Sequence, residues 1–308
     1  MHLLTSAGSP PLSPYEDRTA QAATQTPRGR AGARAFTFAH SLPPLVWQLA
    51  FFLGPLLFLV MLSFWSVRNF RIEPAFEPGN WLRMLGQAHV WETYARTLSY
   101  ALLATGAATV LAFPAAFAIA FRLEANARRV CLFLLVIPFF TSYLVRVYAW
   151  QVFLSDQGVI NALLGMVGVP PRHLLNTPLA TLVGYLTLSL PLVVLVQAMS
   201  LLLVDRRLME AASNLGCGPV RTVFAVILPA ARVGIVVAAL FCFIFSFGDF
   251  VAPLYLGGGA APTLPLLIAD TTKAGQQWPR AAVLALLMIA TLMVVAWAMT
   301  AYAYRRRA

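Results

Sequence analysis

Apolar residues along this chain gather into six runs, 44–67, 98–121, 130–153, 179–203, 233–256 and 281–304, separated by more polar intervals. Each is long enough to cross a bilayer core of roughly 30 Å, which takes about 20 residues in helix. Lipid offers no hydrogen-bond partners, so every backbone N–H and C=O in such a run must be paired inside the protein. That requirement predicts helices, and the fold class expected is all-α, a polytopic bundle of six spans. Pro55, Pro114, Pro138, Pro191 and Pro253 fall within five of the runs. Packed membrane helices accommodate such residues, so kinks are expected. Ala104, Ala108 and Ala112 recur at four-residue spacing, either as a smooth stripe for a neighbouring backbone or as plain alanine abundance.

One polar interval breaks the pattern. Residues 204–232 hold Asp205, placed to cap a helix bearing Leu208, Met209, Ala212 and Leu215 on one side. Gly216-Cys217-Gly218-Pro219 then interrupts it, and Pro219 suits the first turn of a second helix bearing Val220, Val223, Phe224 and Ile227. Pro229 ends or kinks that second helix. Two short amphipathic helices joined by a glycine elbow make a docking element for a soluble partner, or else a hairpin packed on its own bundle.

Composition sharpens the class. Hydrophobic residues are 60% and charged residues 11% of 308, and the mean hydropathy is +0.76. These values lie outside the range of ordinary soluble domains. The net charge of +11 does not point to nucleic acid, because the basic residues sit in short loops and tails without interleaved aromatics. They act as topology signals: with the N-terminus inside, fourteen Arg fall on the cytoplasmic side and eight Arg or Lys on the other. Both termini and the insert 204–232 are therefore predicted inside, with 68–97, 154–178 and 257–280 outside. Residues 1–42 are rich in Ser, Pro, Thr, Ala and Gly, lack the apolar core of a signal peptide, and are predicted as a disordered cytoplasmic tail. Cys131, Cys217 and Cys242 are scattered and odd in number, so three free thiols are expected and no metal site.

Catalytic chemistry is not in view. Lys273, the sole lysine, is followed by Ala274, so no phosphate-binding Gly-Lys-Ser/Thr loop exists. No histidine stands in a nucleophile motif. Asp249 is the one acidic residue well inside a predicted span, and a charge at mid-bilayer costs roughly 2.5–3.5 kcal/mol, so it should face the bundle. It either contacts a cation beside Phe247, Phe250 or Tyr255, or is structural, pairing with an arginine or capping a helix ahead of Pro253. Arg146 near the outer end of the third span either snorkels among Tyr143, Tyr148 and Trp150, or forms a gate pair with Asp249 across the pathway.

Glu210-Ala211-Ala212, Gly216 four residues later and Leu228-Pro229 resemble the EAA signature of permease subunits of bacterial ABC importers. Val226 replaces the isoleucine of the signature, and Arg206 stands where relatives often carry proline. The segments IPFFTSYLVRVYAW (137–150), GVINALLGMVG (158–168), FSFGDFVAPLYLGG (245–258) and QQWPRAA (276–282) are similar to those of spermidine/putrescine-type permeases. The resemblance implies a type I ABC importer permease fold in a bacterial inner membrane, with no cofactor held by this chain. Glu210, Ala211, Ala212, Gly216, Phe224, Leu228 and Pro229 would then couple to a separate ATPase. A second permease in a heterodimer and a periplasmic solute-binding protein would complete the importer. Asp249, Arg146, Tyr143 and Trp150 would line the path of a polyamine, the alternative cargo being another organic solute or an oxyanion. A secondary transporter would carry several intramembrane ionisable residues, where this chain has one acid.

Overall fold

The computed structural model describes residues 27–259 and 261–305. Helices α1 (Pro27–Leu62), α3 (Ala88–Phe117), α7 (Pro178–Leu202) and α14 (Trp278–Tyr304) include four segments long and apolar enough to cross a membrane. Two bent helix pairs raise the number to six by length and composition.

Among the described residues, those up to 58 form a unit of their own and those from 59 onward form the second. Helix already exists from Pro27, which corrects the expected disordered tail for residues 27–42. Alanine and arginine there favour helix, and the apolar run that follows supplies a helix to extend. Residues 1–26 of the predicted tail lie outside the described residues.

In the second unit α3, α7 and α11 (Arg232–Gly248) pack together as the centre. Ala104, Ala108 and Ala112 are fully buried, joined along the same helix by Ala101 and Ala116. The alanine stripe is therefore a contact surface, where small side chains let backbones approach closely. Gln197 of α7 crosses the same interface and donates from Nε2 to the Thr109 carbonyl at 3.2 Å. Helix α14 covers α11 and packs on α13 (Leu264–Lys273).

The third predicted span, 130–153, is not one helix. It divides into α4 (Ala125–Val136), a tight turn Ile137–Phe140 and α5 (Tyr143–Leu154). The segment Ala125–Phe140 is bent by 92° against Tyr143–Met166. Pro138 withholds an N–H and crowds the preceding turn, and the Thr141 hydroxyl caps the Pro138 carbonyl at 2.9 Å. The fifth predicted span, 233–256, also breaks: α11 stops at Gly248 and α12 (Val251–Tyr255) resumes after Asp249.

The intervals predicted to lie outside carry their own structure. Strands β1 (Ser66–Arg68) and β2 (Arg71–Glu73) pair antiparallel with Val67 opposite Ile72. Helix α2 (Gly79–Leu85) is tied to the segment that follows α1 by Asn80, whose side-chain amide donates to the carbonyls of Ser63 (3.1 Å) and Trp65 (2.8 Å). Helix α6 (Val159–Met166) is held by Asn161, which donates to the Ser155, Asp156 and Arg172 carbonyls and accepts from the Arg172 N–H.

Candidate functional site

Two groups of candidate residues lie at opposite ends of α11. The first is the polar insert. Asp205 accepts from the Arg207 N–H at 2.9 Å, capping α8 (Arg206–Asn214) as its sequence position required. The helix ends in a paired closure: Gly216 N–H reaches the Ser213 carbonyl, and Cys217 N–H reaches the Ala212 carbonyl, both at 2.9 Å. Gly216 takes φ +77° to make it. This left-handed closure places the glycine four residues after the alanine whose carbonyl is capped, so the interval from Ala212 to Gly216 follows from backbone geometry.

The second helix begins at Pro219 as α9 (Pro219–Thr222), widens into a π-helical turn at Val223–Ile227, and ends as α10 (Leu228–Ala230). Pro229 cannot donate to the preceding turn, and the wider turn gives its ring room. The expected apolar stripes divide. Met209 and Val223 pack against a core of Ala116, Ile119, Leu201 and Ile227, with Ala212 buried beside them. Leu215 is 85% and Phe224 68% exposed, and Leu208 and Val220 are exposed with them. The insert thus anchors one apolar face on the bundle and leaves a second uncovered. Glu210 and Ala211 are exposed, and Glu210 forms no ion pair among the described residues. Leu228 lines a crevice of about 480 Å³ that also takes in Phe224, Ile235, Val236 and Tyr302.

The second group surrounds Asp249, which is 8% exposed. It lies at the helix break and not within a continuous span. Its carboxylate accepts from the Tyr143 hydroxyl at 2.6 Å, the Val251 N–H at 2.9 Å and the Ala252 N–H at 3.2 Å. A carboxylate offers about four acceptor positions, so one remains. The capping alternative of the sequence reading is therefore realised, and the first-turn donors of α12 offset much of the cost of burying the charge.

Arg146 does not pair with Asp249. Its guanidinium lies 5.8 Å from the centre of the Tyr143 ring and donates to the Thr187 carbonyl at 3.1 Å. Tyr143 thus touches both groups, one through its ring and the other through its hydroxyl. Arg146 Nε is buried and makes no hydrogen bond among the described residues. Trp150 joins Arg146, Ala149, Phe153 and Thr187 around a cavity of about 240 Å³.

Tyr185 is a residue that the sequence pattern does not single out. It is fully buried in the cluster that holds Tyr143, Trp150 and Ala252, and its hydroxyl has no partner among the described residues. Its signal was a single polar-tipped ring in a mainly aliphatic stretch, LVGYLTL. Close approach of α7 to α12 builds this cluster: a Cβ on Gly184 would lie 2.5 Å from Ala252 Cβ.

Residues 108–308 match the family described as Binding-protein-dependent transport system inner membrane component. The spermidine/putrescine transport system permease protein PotB of Escherichia coli K12 is 30% identical over 261 residues, covering 82% of this chain and 93% of that protein. The PotB protein of Salmonella typhimurium SL1344 is 31% identical over 240 residues, 76% of this chain and 82% of that one. A crystal structure of a bacterial ABC transporter involved in import of the acidic polysaccharide alginate superposes with TM-score 0.69 at 16% identity, covering 91% of this chain and 99% of that one. That likeness is one of fold.

Proposed function

This chain belongs to the family of binding-protein-dependent transport system inner membrane components, and from that premise we propose that it conducts a polyamine across the bacterial inner membrane. It is a transport subunit of type I permease fold, not an enzyme. The observation that carries the cargo is the 30% identity to a spermidine/putrescine permease across 82% of the chain. The local chemistry agrees with a cation: Asp249 keeps one acceptor position, and the unpartnered Tyr185 hydroxyl lies in the adjoining cluster. Tyr143 and Trp150 add aromatic faces that favour ammonium groups. Arg146 stays on the rim of this region, held by Thr187, where it repels a cation that strays from the acidic side.

The exposed face of the insert is the docking surface for a separate ATPase. Leu208, Leu215, Val220 and Phe224 are uncovered, and burying one such side chain is worth roughly 1.5–3 kcal/mol. Glu210 stands among them free to meet an arginine or lysine of the partner. Gly216 sets the elbow between the two helices, and Ala211, Ala212, Leu228 and Pro229 give the pair its shape. Both termini lie in the cytoplasm, a second permease completes a heterodimeric pathway, and a periplasmic solute-binding protein delivers cargo to the outer loops. This chain itself holds no cofactor.

The test is uptake of labelled putrescine and spermidine by cells lacking other polyamine importers and carrying this chain with its partners. Asparagine caps a helix as well as aspartate, so Asp249→Asn should leave assembly intact. Losing the charge should still lower uptake about tenfold, the difference of about 1.4 kcal/mol between a charged and a neutral hydrogen bond. Glu210→Arg should abolish uptake with the protein still inserted. Normal polyamine uptake by Asp249→Asn would remove this residue from the pathway.

A further inference from the structure

The insert enters α11 through a sharp elbow. Pro219–Ala230 is bent by 75° against Arg232–Gly248, and Ala231 at the corner has φ −89° and ψ 5°. A lever jointed this way delivers motion only if the joint is stiff. On one side it is braced by α7: Ser200 Oγ donates to the Ala231 carbonyl at 3.2 Å, and a Cβ on Gly234 would lie 2.2 Å from Ser200 Cβ.

On the other side the brace is Arg232. Its Nη2 donates to the carbonyls of Ala303 at 2.8 Å and Arg305 at 2.6 Å, and its guanidinium lies 5.9 Å from the centre of the Tyr302 ring. Both carbonyls belong to the C-terminal end of α14, where the last carbonyls of a helix lack partners within it and carry its negative pole. A guanidinium bridging two of them makes charge-assisted hydrogen bonds with a fixed direction. Apolar packing does not substitute for them, because the 480 Å³ crevice lined by Leu228, Ile235 and Tyr302 opens at the same corner. An arginine serving only as a topology signal would have no need to reach across to another helix.

We infer that Arg232 is a positioning residue for energy coupling: it locks the corner between the insert and α11 to the end of α14, so that displacement of the insert moves both helices together. This rests on the reading of the insert as the ATPase-docking element. It concerns what happens after docking, which the experiment separates from docking itself.

The complete importer, reconstituted in proteoliposomes with its ATPase, second permease and binding protein, is assayed for solute import and ATP hydrolysis in the same vesicles. Arg232→Ala should leave the ATPase bound and its hydrolysis within about twofold of normal, while solute imported per ATP falls about tenfold, within the usual range of coupling between sites. Arg232→Lys, which keeps charge and donors, should recover most of that loss. In a background lacking the native cysteines, Arg232→Cys with Ala303→Cys should be uncoupled as made and recoupled by a short thiol-reactive tether joining the two positions. Import per ATP unchanged in Arg232→Ala overturns the inference, as does loss of import and hydrolysis together through disassembly. Failure of the tether to restore coupling overturns it too. Normal import by Glu210→Arg in the same vesicles would instead sink the docking reading.

Discussion

Gly234→Ala isolates the close contact on which the corner between the insert and α11 depends. The added Cβ would lie 2.2 Å from both Ser200 Cβ and Oγ, with the next atom, Ser200 Cα, at 3.5 Å. Carbon atoms in contact settle near 3.5–4.0 Å, so α7 and α11 must part by about 1.3 Å or more. Overpacking of that kind costs about 1–3 kcal/mol. Rotating the serine hydroxyl relieves only half of the clash, since its Cβ cannot leave. Ser200→Ala therefore should not rescue Gly234→Ala, whereas Ser200→Gly should, because the nearest remaining atom is at an ordinary distance. Ser200→Gly alone should cost about 0.5–1 kcal/mol from helix flexibility, besides its hydrogen bond to Ala231. The measurement is the thermal midpoint of the detergent-purified protein for the two single variants at position 200, Gly234→Ala, and both double variants. A Gly234→Ala midpoint equal to wild type would refute the close packing, and equal rescue by Ser200→Ala would refute the assignment of the clash to Cβ.

Gly184→Val should destabilise by about 1–3 kcal/mol for the same reason at the other end, since its Cβ would meet Ala252 Cβ at 2.5 Å and Leu256 Cδ1 at 2.9 Å; Ala252→Gly should recover part of the midpoint. With Cys131 and Cys242 replaced, half-buried Cys217 should react with a membrane-impermeant maleimide only after the cells are opened. Labelling of intact cells would put the insert on the outer side and reverse the topology.

The spans were legible because an apolar run of span length has few other solutions in a bilayer, and the long helices follow the predicted runs closely at α7 and α14. Helix ends were less legible. The second run predicts a start at 98, yet α3 begins at Ala88, because polar residues such as Glu92 and Arg96 continue a helix once it has left the apolar core. Proline marked disturbance without saying which kind. Pro191 sits inside an unbroken α7, whereas Pro138 ends α4, and the difference lies in the Thr141 and Ser142 that follow Pro138 and the aliphatic residues that follow Pro191. For Asp249 the alternatives of cap and cation contact were both visible in sequence, and the two backbone N–H groups bonded to its carboxylate show the cap. The bridge from Arg232 to Ala303 spans 71 residues, and no local periodicity encodes such a pair.

The two ends of α11 are related by the stiffness of the helix between them. From Arg232 to Gly248 there are 17 residues without proline, a rise of about 25 Å at 1.5 Å per residue. The only interior glycine, Gly234, is pinned against Ser200 in the first turn. Such a helix transmits rotation and translation at its N-terminal end to its C-terminal end with little loss. At its C-terminal end it stops against Asp249, whose carboxylate holds the first turn of α12 and the hydroxyl of Tyr143 on α5. Movement of the corner held by Arg232 would therefore act on the one carboxylate proposed to meet the cargo, by straining three hydrogen bonds that have definite directions. Opening the Tyr143 contact would free a second acceptor position on Asp249, and restoring it would withdraw that position. On the proposed reading, the site would change its affinity for an ammonium group without any residue near it contacting the ATPase. It also follows why Asp249 stands at a break between helices: a carboxylate inside a continuous helix would have no first-turn N–H groups to hold it while the cargo leaves.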